Sequence, residues 1–246
     1  LLLAHCATRG ILIAGLGACD LSPGQTSRGL QSLPRPHVFL VCRSVIGDLR
    51  TTEANAMVEL DITLNPVTLE RLKAGLRQTA SEIKSSHRVE ALARGLGFHS
   101  NAELRARIDA SGSRRIDPEP FGRYLTERGF DAPASMLLRA AAHAITLTAM
   151  DRDDRLHKWG WGFGRPERRS DGRWETPYEH FDRVQAYREE LKDIAVADHV
   201  LRALAMLASV PATKTIRPDT DSYRLKHIAE NFACTFPDGA PLGPDY

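Results

Sequence analysis

The sequence predicts a mainly α-helical protein, a multi-helix bundle with at most one or two short strands near the N-terminal end. Three observations predict it. Apolar residues recur at three- and four-residue spacing through most of residues 57–246, the pattern of one buried face on a helix. Several of those stretches open on Asn-Pro, Asp-Pro or Thr-Pro steps or on Ser/Thr-x-x-Glu boxes, which satisfy the free amides of a first helical turn. Strict alternation occurs once, where Val58, Leu60, Ile62 and Leu64 interleave with Glu59, Asp61 and Thr63, a short strand signal.

The elements follow in order. The run His37–Cys42 is the one upstream stretch that offers a strand partner to 58–64. Asn65-Pro66 opens a helix whose apolar stripe is Leu69, Leu72, Leu76, Ala80 and Ile83. Ser86 opens a second, with Val89, Leu92, Ala93 and Leu96 inward and Gly97 as its stop. Ser100 and Glu103 form a capping box for a third, with Leu104 and Ile108 inward. Residues 57–110 thus read as a small three-helix unit, and Ser111-Gly112-Ser113 as a linker. A helical domain over 114–246 follows. Asp117-Pro118 caps a helix carrying Phe121, Tyr124 and Leu125, and Pro133 starts a longer Ala/Leu-rich one to about Met150. Thr176-Pro177-Tyr178-Glu179 boxes the next, with Phe181, Val184, Leu191 and Ile194 assigned to its inner face. Two more span about 198–208 and 222–232, the latter with Leu225, Ile228, Ala229 and Phe232 inward. The Pro/Gly-rich end predicts that the chain continues beyond Tyr246.

Composition divides the chain at Met57, its first methionine. Residues 1–56 hold no Lys, five Arg, three acids and three of the four cysteines. Residues 57–246 carry 28 basic and 28 acidic residues. Met57 is therefore read as the natural start and 1–56 as a leader that is not native or is poorly ordered. A second reading takes Arg9, the apolar stretch from Ile11 and Cys19 as a lipoprotein-type signal. Gly15-x-Gly17 lacks the third glycine of a dinucleotide loop. The single cysteine beyond Met57, Cys234, suits a reducing, cytoplasmic setting. No apolar run approaches the roughly 18–20 residues of a membrane span. A whole-chain net charge of +2 excludes a polycation, so nucleic-acid binding needs a local patch.

No complete catalytic or metal motif is present, and no cofactor is expected. Asp151-Arg-Asp153-Asp154 fails as a calcium loop, because Arg155 and Leu156 stand where a ligand and the turn glycine belong. Ser81-x-x-Lys84 has a Ser–Lys spacing, but Lys214-Thr215 is followed by Ile216 and no Ser-Asp-Asn occurs. His143 reads as a core or edge histidine.

Two segments stand out as binding candidates. The first is Trp159-Gly-Trp161-Gly-Phe163-Gly-Arg165 with Arg168, Arg169, Arg173 and Trp174. Aromatic faces and guanidinium groups are what single-stranded nucleic acid stacks on and pairs with. The second gathers Lys214, Arg217, Tyr223, Lys226 and His227 with Glu230, a set able to grip a phosphate or carboxylate.

Residues 85–108, SSHRVEALARGLGFHSNAELRARI, resemble a short helical segment of bacterial plasmid- and phage-borne proteins, some of them named glyoxalase-superfamily proteins. Ser86-His87, Leu92, Ala93, Leu96, Gly97-Phe98 and Leu104 carry the match. An aromatic expected soon after Gly-Phe is replaced by Asn101 and Ala102. SYRLKHIAENF near the C-terminus is similar to proteins of the same background. The resemblance implies a bacterial accessory gene and no reaction; no glyoxalase metal ligand is matched. The stretch from 85 is also similar to helix-turn-helix DNA binders, with Asn101, Arg105 and Arg107 on the reading helix. There the next apolar residue belongs at position 103, yet Leu104 stands one residue late.

The leading expectation is a helical accessory protein of a mobile element that binds nucleic acid or a partner protein. The alternatives are an enzyme with its site in Lys214–Glu230 and a purely structural interaction protein.

Overall fold

A computed structural model describes residues 56–108, 112–209 and 222–243. Among these the protein is mainly α, as the sequence predicts, with eight α-helices. Residues 1–55 of the 1–56 leader, the strand expected at His37–Cys42, Lys214 and Arg217 lie outside the described residues, as do the side chains of Tyr223 and Leu225.

The Pro-containing caps form as expected. Helix α1 (Pro66–Thr79) is capped by Asn65, whose side chain accepts from the Thr68 amide at 2.9 Å. Helices α2 (Ser85–Gly95) and α3 (Asn101–Arg107) follow, with Ser100 accepting from the Glu103 amide at 3.1 Å. The return bond of that box goes elsewhere: Glu103 accepts from the His99 amide at 2.8 Å. Asp117 caps α4 (Pro118–Thr126). Helix α5 (Ala134–Arg152) runs through the middle and buries Leu137, Leu138 and a row of alanines. Its first residue is Ala134 and its preceding Pro133 makes no side-chain cap; Asp238, from the far end of the chain, accepts from the Ala134 amide at 2.9 Å.

Small residues on α5 let α1 come close. A Cβ on Gly75 of α1 would lie 2.9 Å from the Ala140 Cα, a separation that real side chains do not tolerate. Helix α6 (Pro177–Glu189), a 3₁₀ turn Glu190–Lys192, α7 (Val196–Ser209) and α8 (Ser222–Glu230) complete the helices. Arg139 on α5 grips Asp198 on α7 with two bonds of 2.7 and 2.8 Å.

Strands are more numerous than the one or two expected. The described residues contain seven, each of two to four residues. Strand β1 (Ala56–Met57) lies parallel to β6 (Cys234–Thr235), which pairs antiparallel with β7 (Pro241–Leu242). Strand β2 (Leu60–Thr63) pairs antiparallel with β3 (Ser113–Ile116), in the register Leu60↔Ile116 to Thr63↔Ser113. Ser113 is thus a strand residue, not linker. A short hairpin joins β4 (Leu156–His157) to β5 (Gly160–Trp161). One apolar core runs through residues on both sides of Gly112, from Leu72 and Leu92 to Phe121, Leu138 and Leu201. His143 is buried in α5 and bonds the Lys192 carbonyl through Nε2 at 2.8 Å, while Nδ1 has no partner among the described residues.

No helix of the described residues is long and apolar enough to cross a membrane.

Candidate functional site

The chain from Asp153 to Lys192 forms a lobe around a small apolar cluster that Leu156 and Leu191 make with Met150 at the end of α5. Asp153 begins it. Its carboxylate accepts from the Arg155 amide and guanidinium at 2.9–3.0 Å and from the Trp161 indole at 2.6 Å. The Arg155 hydrogen bond above all holds this carboxyl down at about 2. Arg155 lies 3.9 Å from the Trp161 ring centre. Arg188 of α6 then donates to the carbonyls of Met150, Asp153 and Leu156 at 3.0, 3.0 and 2.7 Å, so one guanidinium ties the end of α5 to the hairpin.

The alternating glycines serve conformation. Gly160 and Gly162 have φ of 125° and 119°, values that side-chain-bearing residues avoid. A Cβ on Gly162 would meet nothing within 4 Å, so close approach is not the purpose of Gly162.

Residues 165–175 fold back as a narrow loop in which Arg168 bridges Trp174 and the Arg169 amide donates to the Arg173 carbonyl at 2.7 Å. Arg183 of α6 pins this loop. It holds Glu175 with bonds of 2.7 and 2.8 Å, Glu167 at 2.9 Å and the Arg165 carbonyl at 3.0 Å. The Arg183 bonds put Glu175 down at about 2 as well.

Two of the four loop arginines predicted to bind are engaged within the loop and α6. Arg169 pairs with Glu179 at 3.0 Å and lies 3.6 Å from Asp171. Arg168 donates to the Gly172 carbonyl at 3.0 Å and sits 6.0 Å from the Trp174 ring centre. Arg165 is exposed. Arg173 is exposed; its amide donates to the Asp171 carboxylate at 2.9 Å, and its guanidinium has no acidic partner among the described residues. Residues 153–192 carry nine Lys or Arg and nine Asp or Glu, so the lobe has no net charge.

What the lobe does expose is aromatic surface. Trp159 is 60%, Phe163 49%, Trp174 65%, Tyr178 83% and Phe181 56% accessible. These are five of the seven exposed large apolar side chains of the described residues. Tyr178 and Phe181 stand three residues apart on α6 and so share a face. Phe181, assigned inward from its spacing, is a correction: it is exposed, and Val184 is the one buried residue of α6. Trp161, by contrast, is half-buried and turned inward by Asp153.

The second predicted cluster meets the first. Lys226 lies 5.0 Å from the Trp159 ring centre, and Lys158 5.4 Å. Tyr187 meets Trp159 edge-on, with ring centres 6.2 Å apart. Lys226 and His227 both pair with Glu230, at 3.4 and 3.0 Å. Cys234 is buried, and burial pushes its thiol up to about 11, so it is no nucleophile. Ser81 and Lys84 are exposed in the turn between α1 and α2 rather than on one helical face. On the segment similar to helix-turn-helix proteins, Leu104 is buried, α3 has seven residues, and Asn101 is half-buried with its Oδ1 unpartnered.

No protein-family model matches this chain, and neither a curated protein nor a solved structure matches it.

Proposed function

We propose that this chain is a helical docking protein that binds a protein partner through the exposed aromatics of residues 159–181. Its setting as an accessory protein of a bacterial mobile element rests on the resemblance of residues 85–108. One observation carries the docking reading: five large aromatic side chains stand in solvent on a lobe whose charges cancel. Tyr178 and Phe181 share one face of α6, contiguous exposed apolar surface marks interaction sites, and aromatic side chains with flanking arginines dominate the energetics of protein interfaces. Phosphate recognition needs the opposite balance, an excess of uncommitted cations.

Fluorescence anisotropy of the full chain with labelled single-stranded DNA, duplex DNA and RNA, at low and high salt, tests the choice. The expected result is no binding at either salt concentration. Binding that weakens steeply with salt, and is lost on changing Arg173 to Gln, overturns the protein-docking reading in favour of nucleic acid.

A further inference from the structure

A cleft of about 210 Å³ opens between α1 and α2. Its polar lining is Lys73, Arg77 and Arg88, with Ser85 and a single acid, Glu70. Lys73 and Arg77 stand one turn apart on α1, a like-charge spacing that a free helix disfavours. Lys73 is held in the cleft by Glu70 at 2.7 Å. Arg88 crosses from α2, anchored through one nitrogen to the Ala80 carbonyl at 2.9 Å and 3.5 Å from that of Ser81. Its remaining donors have no partner among the described residues. Arg77 is exposed and has no acidic partner among the described residues. Three cations thus converge against one carboxylate, from two helices that the core fixes relative to each other.

We propose that this cleft binds the phosphate group of a small phosphomonoester. Guanidinium donors match phosphate oxygens in geometry. A phosphomonoester carries close to two negative charges at neutral pH, which balances the cleft's excess. Pockets that enclose whole drug-sized ligands run from about 300 Å³ upward, so this one takes the phosphate and leaves the rest of the molecule outside. The site is separate from the aromatic lobe and does not depend on it.

Calorimetric titration of the full chain with methyl phosphate and with dimethyl phosphate, in low-salt buffer at about pH 7.5, where the monoester is a dianion, tests the assignment. The expected result is saturable one-site binding of methyl phosphate, with dimethyl phosphate about tenfold weaker or more because it carries one charge. Arg77→Gln, at an exposed position that leaves the fold intact, is expected to weaken methyl phosphate about tenfold. Glu70→Gln is expected to tighten it. Arg123→Gln removes the same charge from α4, outside the cleft, where Arg123 pairs with Glu119; it is expected to change nothing. No saturable binding, equal affinity for the two esters, or an equal loss in Arg123→Gln overturns the proposal. Equal affinity would point instead to the phosphodiesters of nucleic acid.

Discussion

The Lys226 ammonium lies 5.0 Å from the centre of the Trp159 ring. That contact fastens α8 to the β4–β5 hairpin and joins two segments that are far apart in sequence. Cation–π pairs at exposed sites are worth about 0.5–1 kcal/mol. A double-mutant cycle on Trp159→Leu and Lys226→Met, followed by urea denaturation, is expected to return a coupling of that size. Additive effects would show that the two side chains are neighbours without interaction.

Arg188 supplies the lobe's mechanical tie. Its loss in Arg188→Met leaves three carbonyls, those of Met150, Asp153 and Leu156, without their donor. A hydrogen bond to a charged group contributes about 1.5–3 kcal/mol, and destabilisation near the upper part of that range is expected in chemical denaturation. Arg188→Lys recovers only part, because one ammonium cannot reproduce the planar fork.

Acid is expected to open the lobe before the helical body. Asp153 and Glu175 are both held at about 2 by arginine hydrogen bonds, whereas unfolded carboxyls titrate near 4. Folded-state values below the unfolded ones stabilise the lobe above about pH 4, and that contribution is lost as pH falls from about 4 toward 2. All three tryptophans of the chain, at 159, 161 and 174, lie in this lobe. Their fluorescence therefore reports it separately from far-ultraviolet circular dichroism, which follows the helices. The tryptophan transition is expected at the higher pH, and Asp153→Asn is expected to remove part of its pH dependence at the cost of lower stability at neutral pH.

Gly75 sets the spacing of α1 on α5. Gly75→Ala gains up to about 1 kcal/mol in helix propensity, but its methyl would meet the Ala140 backbone at 2.9 Å. Overpacking a rigid contact costs about 1–3 kcal/mol, so a net loss of thermal stability is expected. A rise in Tm would mean that the two helices can part without penalty.

Much of this fold is legible because caps are local. Asn65-Pro66, Asp117-Pro118 and Thr176-Pro177 each mark a helix start that the structure realises. The missed strands carry no such mark. Ser113-Arg-Arg-Ile116 buries one side chain, and strands of two residues have no period to read. Phe181 shows the limit of spacing arguments: three- and four-residue recurrence defines a face, and says nothing of whether another element covers it. The pairing of Arg169 is hidden from spacing arguments in the same way. Its acidic partners Glu179 and Asp171 are visible in the sequence, but only the fold of the loop onto α6 brings Glu179 to Arg169. Trp161 turns inward because Asp153, eight residues earlier, receives its indole N–H.

The docking reading is tested most directly by a photo-crosslinking amino acid placed at Phe181 of the full chain, expressed in the cells that make it, with a second variant carrying it at the exposed Val67 of α1. The predicted result is a discrete protein adduct at 181 that is absent at 67 and is lost when Trp174 and Tyr178 are changed to Ser, with Tm unchanged. Adducts that nuclease removes, or the same adducts from both positions, would contradict it.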